Sequence, residues 1–140
     1  MSISVVRSFV SNRVLEEDSN FKQWGDAFNR DNIPRSIFDR AYFIQYENPS
    51  NNDTENCYVD DNVTATLELF LKGYRSPQEA LDNAMDKAYR IKLRSSNPTH
   101  WTDLIKHVVV ESVVPSPVDS NDNSIIITLE YTLRLISTVS

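Results

Sequence analysis

The sequence NVTATLELFLKGYRSPQEALDNAMDKAYRIKL, residues 62–93, decides the fold of this chain. Its first part predicts a strand over residues 62–74, because apolar and polar residues alternate there, which places one face of a strand toward a core. The apolar positions are Val63, Ala65, Leu67, Leu69 and Leu71. This strand therefore needs a covering layer on one side.

The second part of the stretch predicts a helix that begins at about Pro77. Ser76 is a good N-cap, proline is tolerated at the first helical position, and Glu79 stands where a capping box places its acid. The apolar residues recur at helical spacing, at Ala80, Leu81, Ala84, Met85, Ala88 and Ile91. A helix with one apolar stripe after a strand with one apolar face indicates a helix packed on a sheet.

The rest of the chain supplies one more helix and three more strands. Residues 3 to about 17 carry valines and Phe9 at helical spacing and predict an amphipathic helix. β-Branched and aromatic residues predict strands over residues 36–47, 101–114 and 124–136. Phe21, Trp24 and Phe28 fit either a second short helix or anchors for a long connection.

The fold class predicted from these elements is α+β. A mostly antiparallel four-stranded sheet with long strands is packed by an N-terminal helix and a central helix, in the order α-β-β-α-β-β. At 140 residues the chain forms one domain, residues 1–140. Residues 49–61 are polar and almost free of apolar side chains, and they predict a long mobile loop between two strands.

The length of two strands carries information about assembly. At ~3.3 Å per residue, strands over residues 62–74 and 124–136 each span roughly 43 Å. A compact domain of this size has a diameter of only about 37 Å. Strands that overrun the body predict subunits joined through sheet extension. The alternative is a monomer in which a bulge or a bend shortens both strands.

Composition excludes several classes of protein. A net charge of -6 opposes a broad nucleic-acid-binding face, because such faces neutralise phosphates. The single Cys57 cannot form an internal disulfide. No apolar run is long enough for a membrane helix, and residues 1–10 lack the pattern of an export signal, so we expect synthesis and assembly inside a cell.

The candidate motifs for chemistry all have simpler interpretations. Asp119 to Glu130 approaches a calcium-loop spacing, but Ser124 stands where glycine makes the turn, so a polar hairpin turn is predicted. His100 and His107 accompany no nucleophile motif, and two glycines are too few for a phosphate loop. We predict no catalytic residue, no cofactor, no metal and no enzymatic activity.

Basic residues crowd the end of the central helix. They are Lys87, Arg90, Lys92 and Arg94. The helix dipole favours cations there, and the alternative interpretation is a contact patch for an acidic partner.

Three segments of the chain carry a family resemblance. They are Ile33-Pro34 leading into Phe38-Asp39-Arg40-Ala41-Tyr42-Phe43-Ile44, the strand end Phe70-Leu71-Lys72-Gly73-Tyr74-Arg75, and the helix start Pro77-Gln78-Glu79-Ala80-Leu81-Asp82. With the polar turn and hydrophobic last strand that follow, they resemble the tail terminator, or tail completion, proteins of long-tailed bacteriophages. The resemblance covers most of the chain.

The resemblance implies a structural virion protein of the tail and neck, assembled in the host cytoplasm. Such proteins form a ring, here of six copies, that terminates the tail tube and provides the head–tail joining interface. The implied partners are the tail tube protein, the head-side connector or stopper protein and, in a contractile tail, the sheath. DNA passes through the ring without specific binding, and no membrane is involved.

Two sets of residues are candidates for these contacts. Subunit-interface candidates lie on the first helix and the long strands: Ile3, Val6, Val10, Phe70, Lys72, Tyr74, Arg75, Glu130 and Arg134. A partner-facing loop carries Asp53, Glu55, Asp60 and Asp61.

Two rival functions stay open. A head-completion or stopper ring protein of the neck would share size and composition. A small α+β enzyme or ligand-binding domain would show a pocket with convergent polar groups and shifted titrating residues, and we expect no such pocket.

Overall fold

A computed structural model gives the fold and describes residues 3–23, 40–46, 50–53, 58–102, 104–119 and 121–138. The elements in this part of the chain are α1 (Ile3–Glu17), β1 (Lys22–Gln23), β2 (Ala41–Tyr46), β3 (Ser50–Asp53), β4 (Tyr58–Leu71), α2 (Pro77–Ser95), a short 3-10 helix (Pro98–His100), β5 (Ile105–Pro115) and β6 (Ile125–Thr138). Both predicted helices are confirmed, and so is the α+β class.

The sheet is larger than predicted and mixed. The strands follow the order β1-β2-β4-β6-β5, and β3 also pairs with β4. The four predicted strands, β2, β4, β6 and β5, are antiparallel neighbours, but the additional β1 is parallel to β2. The prediction of four strands was wrong because β1, at two residues, is too short to show a sequence pattern.

The polar stretch over residues 49–61 is the second correction. Its described parts are strands: β3 pairs with the first half of β4, from Asp53 opposite Val59 to Ser50 opposite Asn62. Ladder hydrogen bonds join backbone groups, so a strand can form without the apolar alternation that sequence analysis detects. The loop prediction therefore fails for residues 50–53 and 58–61.

The two long strands are each one residue longer than predicted. β4 and β6 contain 14 residues each, and they pair without a register shift from Tyr58 opposite Thr138 to Leu71 opposite Ile125. Each spans about 46 Å at ~3.3 Å per residue. β4 begins four residues earlier than predicted and ends at Leu71, before Gly73, which has a φ of 90°. No bulge therefore shortens this pair of strands.

The core lies between one face of the sheet and the two helices. β4 contributes the predicted Val63, Ala65, Leu67, Leu69 and Leu71, all buried, and β6 contributes Ile125, Ile127, Leu129, Tyr131, Leu133 and Leu135. Helix α1 supplies Val6, Phe9, Val10 and Val14, and α2 supplies Ala80, Ala84, Ala88 and Ile91. Alanines one turn apart on α2 let the helix lie close to the sheet.

Helix α2 begins with a modified capping box. The Ser76 hydroxyl accepts a hydrogen bond of 3.1 Å from the Glu79 amide, as the sequence predicts. The Glu79 carboxylate accepts a hydrogen bond of 3.1 Å from the amide of Arg75, one residue before the usual partner. The cap therefore also fixes the chain that connects β4 to α2.

Candidate assembly surface and a cavity beside the first helix

The face of the sheet that α1 and α2 do not cover carries threonine, valine and charged side chains that are at least partly exposed. We define the open face by the outward-facing residues of three strands: Thr64, Thr66, Val109, Val114, Thr128, Glu130, Thr132 and Arg134. In the register, Thr66 lies opposite Glu130 and Thr64 lies opposite Thr132. Glu130 and Arg134 are exposed, and Val114 is 54% exposed. Threonine and valine suit a flat β surface that can be covered by another molecule.

One corner of this side of the sheet is closed. Ala41, Phe43 and Phe70 are buried together, with Ile126 packed against them. Glu68 is only 4% exposed and lies opposite Phe43 in the ladder. The open face is therefore bounded at one end by an apolar cluster.

The structure separates the predicted interface residues into two groups. Val6 and Val10 are completely buried in the core of the chain itself, and Phe70 is 2% exposed, so these three cannot contact a neighbouring subunit. They were chosen as apolar residues on long elements, but their own chain already covers them. Glu130 and Arg134 are exposed on the open face, and Arg75 is exposed before α2.

The other predicted interface residues lie near the end of β4 or outside the described side chains. Lys72 and Tyr74 are half-buried after the end of β4. Burial raises the pKa of the Tyr74 phenol, and the nearby Glu79 carboxylate adds to the rise. Ile3 is the first residue of α1, and only its backbone is described.

The residues of the predicted partner-facing loop are not in one loop. Asp53 ends β3, and Asp60 and Asp61 belong to β4, where they pair across the hairpin with Asn52 and Asn51. Glu55 lies outside the described residues. Asp53, Asp60 and Asp61 therefore lie on two paired strands. We call the end of the sheet where Tyr58 pairs with Thr138 the far end.

Three of the four basic residues near the end of α2 contact acidic residues at the end of α1. The Glu17 carboxylate at the end of α1 contacts Arg90 and Arg94, each at 2.5 Å, and its side chain is only 6% exposed. Asp18 contacts Lys87 at 3.6 Å. Both interpretations from sequence omitted this arrangement, in which the acidic end of one helix meets the basic end of the other. The contact patch for an acidic partner stays an alternative interpretation, because Arg90 and Arg94 share one carboxylate and both are partly exposed.

The calcium-like stretch folds as a turn whose oxygens serve the turn itself. Asp119 accepts a hydrogen bond of 2.8 Å from the Asn121 amide, and Asp122 accepts one of 2.9 Å from the Ser124 amide. Asn123 has a φ of 56° and donates a hydrogen bond of 2.9 Å to the Tyr74 carbonyl. In the described residues, no three His, Cys, Asp or Glu side chains converge in a way that could hold a metal ion.

A buried polar network links α2 to the sheet. The Tyr131 hydroxyl lies 2.6 Å from the Ser95 hydroxyl, which donates a hydrogen bond of 2.8 Å to the Ile91 carbonyl. The Trp101 indole donates a hydrogen bond of 3.0 Å to the Ser95 carbonyl. Burial raises the pKa of the Tyr131 phenol well above its ordinary value, and the Ser95 hydrogen bond and the Arg13 charge only partly oppose this rise.

A cavity of about 480 Å³ lies between α1 and the start of β5. Its apolar walls are Val5, Phe9, Leu104 and Ile105. Its polar lining is Ser8, Asn12, Arg13, His100 and Thr102. The chain therefore has a pocket with a partly polar lining, where the sequence led us to expect no pocket that combines convergent polar groups with shifted titrating residues.

Arg13 is the unusual member of the cavity. The residue is 8% exposed, and its guanidinium carbon lies 5.1 Å from the centre of the Phe9 ring. Its Nε lies 2.7 Å from the Glu16 carboxylate in an ion pair, and neither Nε nor Nη1, both buried, makes a well-aligned hydrogen bond within the described part of the chain. Sequence analysis missed Arg13, although an arginine four residues after Phe9 and seven after Val6, on a buried stripe, is a detectable signal.

Comparisons with other proteins do not show the family of this chain. No family model matches the sequence, and no curated protein is significantly similar to it. Among the described residues, no helix combines the length and apolar character that crossing a membrane requires.

Proposed function

We propose that this chain is a structural virion protein that forms a ring of six copies, terminates the tail tube of a long-tailed bacteriophage and joins the tail to the head. The observation that carries the proposal is the unbroken pairing of β4 with β6 over 14 residues each. At about 46 Å this ladder is longer than the about 37 Å expected for a compact domain of this size. Strands of this length support a role in which copies complete one another.

The edges of the sheet support contact at its far end. Pairing of β5 with β6 stops at Leu135, so residues 136–138 of β6 pair on one side only within the described chain. The four-residue β3 also pairs on one side only, with β4, as far as the structure describes the chain. By contrast, β5 has bulges at Lys106 and Glu111, and bulges with charged residues are devices that discourage edge pairing. A neighbour would therefore add its strand at the far end and cover part of the open face.

The proposed partners follow from this role. They are the tail tube protein, the head-side connector or stopper protein and, for a contractile tail, the sheath, with DNA passing through the ring. The place of action is the virion neck, after assembly in the host cytoplasm. A stopper ring is the second candidate, because the same long strands would serve it equally well.

The direct test is the mass and the shape of the purified protein. Sedimentation analysis and electron microscopy should show closed rings of the full-length chain. A variant that ends after Leu135 removes the one-sided part of β6 but keeps every β6 core residue named above, and it should remain folded as a monomer. A full-length protein that stays monomeric at micromolar concentration would contradict the proposal.

Deletion of the gene in the virus that encodes it separates the two candidates. Loss of a terminator should give overlong tails or tails that cannot join heads. Loss of a stopper should leave tails of normal length and heads that lose their DNA. Normal virions would contradict both.

A further inference from the structure

We propose that the outer surface of the C-terminal half of α2 binds an acidic segment of another protein that carries a bulky apolar side chain. We call this surface the α2 patch and define it by Tyr89, Arg90, Lys92, Leu93 and Arg94. It belongs to the helix layer, whereas the contacts proposed between copies lie at the far end and on the open face of the sheet. The inference does not rest on the ring proposal.

The first argument is the exposure of two large apolar side chains. Leu93 is 69% exposed, more than any other large apolar residue that the structure describes. Tyr89 lies one turn earlier and is 47% exposed. Both lie outside the buried stripe that packs α2 on the sheet, which ends in Ile91 and Ser95. The C-terminal half of α2 therefore presents a tyrosine and a leucine to water.

The second argument is a difference between the two halves of α2. Between Gln78 and Asp86 every exposed residue is polar. The helix dipole accounts for acids near the start of a helix and cations near its end. It does not account for Tyr89 and Leu93 among those cations, because the outer face of a surface helix is ordinarily polar. Neither capping nor packing of α2 explains the apolar part of the α2 patch.

The third argument is charge, which selects the partner. Residues 87–94 contain four cations, and three of them contact the two carboxylates of Glu17 and Asp18. In the part of the chain that the structure describes, Lys92 forms no ion pair, and its ammonium lies 5.7 Å from the centre of the Tyr89 ring. Two positive charges are thus in excess here, although the whole chain has a net charge of -6. Carboxylates placed beside an apolar side chain complement this arrangement.

The acids in the first half of α2 favour a short protein segment over a broad anionic surface. Asp86 and Asp82 are exposed one and two turns before Arg90. A membrane or a nucleic acid lying along α2 would bring phosphates onto these carboxylates, and like charges repel. A short acidic segment can contact Leu93 and the neighbouring cations without reaching Asp82, so the same acids discriminate against the broader surfaces.

Fluorescence anisotropy of a labelled synthetic peptide, with glutamates around one central leucine, tests the proposal on the full-length protein. We expect saturable binding that weakens as salt is added. A peptide with glutamine in place of glutamate should bind at least about threefold more weakly, because it lacks the ion pairs. A peptide with serine in place of leucine should bind about tenfold more weakly, because it buries less apolar surface.

Two variants locate the binding on the α2 patch. Lys92→Glu should weaken peptide binding at least about threefold. Arg75→Glu makes the same charge change at the other end of α2 and should bind as the wild type does. Leu93→Ser should weaken binding about tenfold. Val114→Ser also replaces an exposed apolar residue, on β5, and should have no effect. All four variants should unfold at similar urea concentrations, because none of the replaced side chains is buried.

Several results would overturn the proposal. They are the absence of saturable binding, equal binding of the leucine and serine peptides, and equal weakening by the variants and their controls. Tighter binding of phosphatidylglycerol vesicles or of a short DNA duplex at the α2 patch would overturn it and assign the patch to that surface. A lower mass of Lys92→Glu and Leu93→Ser than of the wild type in sedimentation would overturn it too, and would assign the patch to contact between copies.

Discussion

The two faces of the sheet are built from alternate residues of the same strands, yet they differ in what covers them. On β6, Leu129, Tyr131 and Leu133 are completely buried on the face covered by α1 and α2, whereas Glu130 and Arg134 are exposed on the open face. Adjacent residues share one backbone, so the difference arises only from the direction of each side chain. The covered face holds the fold together, and the open face leaves a surface for a second role.

The largest expected effect of a single change is on the covered face. Leu129 is completely buried and lies opposite Leu67 in the ladder. Leu129→Ala should lower the free energy of unfolding by about 2–5 kcal/mol, because it removes buried apolar contacts and leaves a cavity. Urea denaturation followed by circular dichroism measures the change. Thr128→Ala, the adjacent half-buried residue, is the control and should cost less than about 1 kcal/mol. Similar losses at both positions would remove the contrast between the faces.

A smaller effect is expected where the two helices meet. Glu17 is the 6% exposed partner of Arg90 and Arg94, and these arginines are 50% and 35% exposed in their side chains. Glu17→Gln should lower the free energy of unfolding by about 1–2 kcal/mol, less than for a fully buried pair because solvent screens both arginines. The loss should shrink in 1 M salt. Asp82→Asn, on the exposed surface of α2, is the control; an equal loss there would show that Glu17 has no special role.

The buried hydroxyl of Tyr131 provides a test with a pH signature. Tyr131→Phe should cost about 1 kcal/mol at pH 7, since it removes the hydrogen bond with Ser95. Below the ordinary tyrosine pKa of about 10 both folded and unfolded chains keep the phenolic proton, so this group adds no pH dependence.

Above that pH the sign is determined by burial. Burial raises the pKa of Tyr131 in the folded chain, so the unfolded chain ionises first and stability falls as pH rises. In Tyr131→Phe this part of the alkaline loss, up to about 1.4 kcal/mol per pH unit, should disappear. Unfolding curves between pH 9 and 11 measure it. The same alkaline slope in both proteins would contradict a raised pKa.

Most of the covered layer could be predicted from sequence. The alternation from Val63 to Leu71 and the stripe from Ala80 to Ile91 were sufficient, because each pattern has one dominant explanation. The strand β3 could not be predicted, since Ser50–Asp53 contributes backbone pairing and no apolar pattern. Propensity scales disfavour asparagine and aspartate in strands, and tertiary pairing overrides them here.

The candidate sites were less predictable than the fold. Sequence alone placed Val6 and Val10 at a subunit interface, but an apolar helix face does not reveal whether its partner is the same chain or another. The cavity depends on the distance between α1 and the chain before β5, which only the tertiary structure defines. Arg13 illustrates the limit of such predictions. Its place on the helical stripe of α1 indicates burial, but it does not indicate that guanidinium nitrogens lack a hydrogen bond.

The smallest expected effect on stability is on the open face. This prediction tests the difference between the open face and the covered face most directly. Glu130 is exposed, and its ladder neighbours Thr66 and Ser112 are uncharged. Glu130→Lys should therefore change the free energy of unfolding by less than about 0.5 kcal/mol. If copies cover the open face, the reversed charge would be buried in the contact and should lower the fraction of chain in rings, measured by sedimentation.

Asp86→Lys makes the same charge change on exposed α2 and should leave the ring fraction unchanged. A ring fraction equally insensitive to both substitutions would mean that the open face is not part of the contact, and that rings form through the far end of β4 and β6 alone. Loss of rings together with loss of stability in Glu130→Lys would instead mean that this face contributes to the fold. Only a change in assembly without a change in unfolding separates the roles of the two faces.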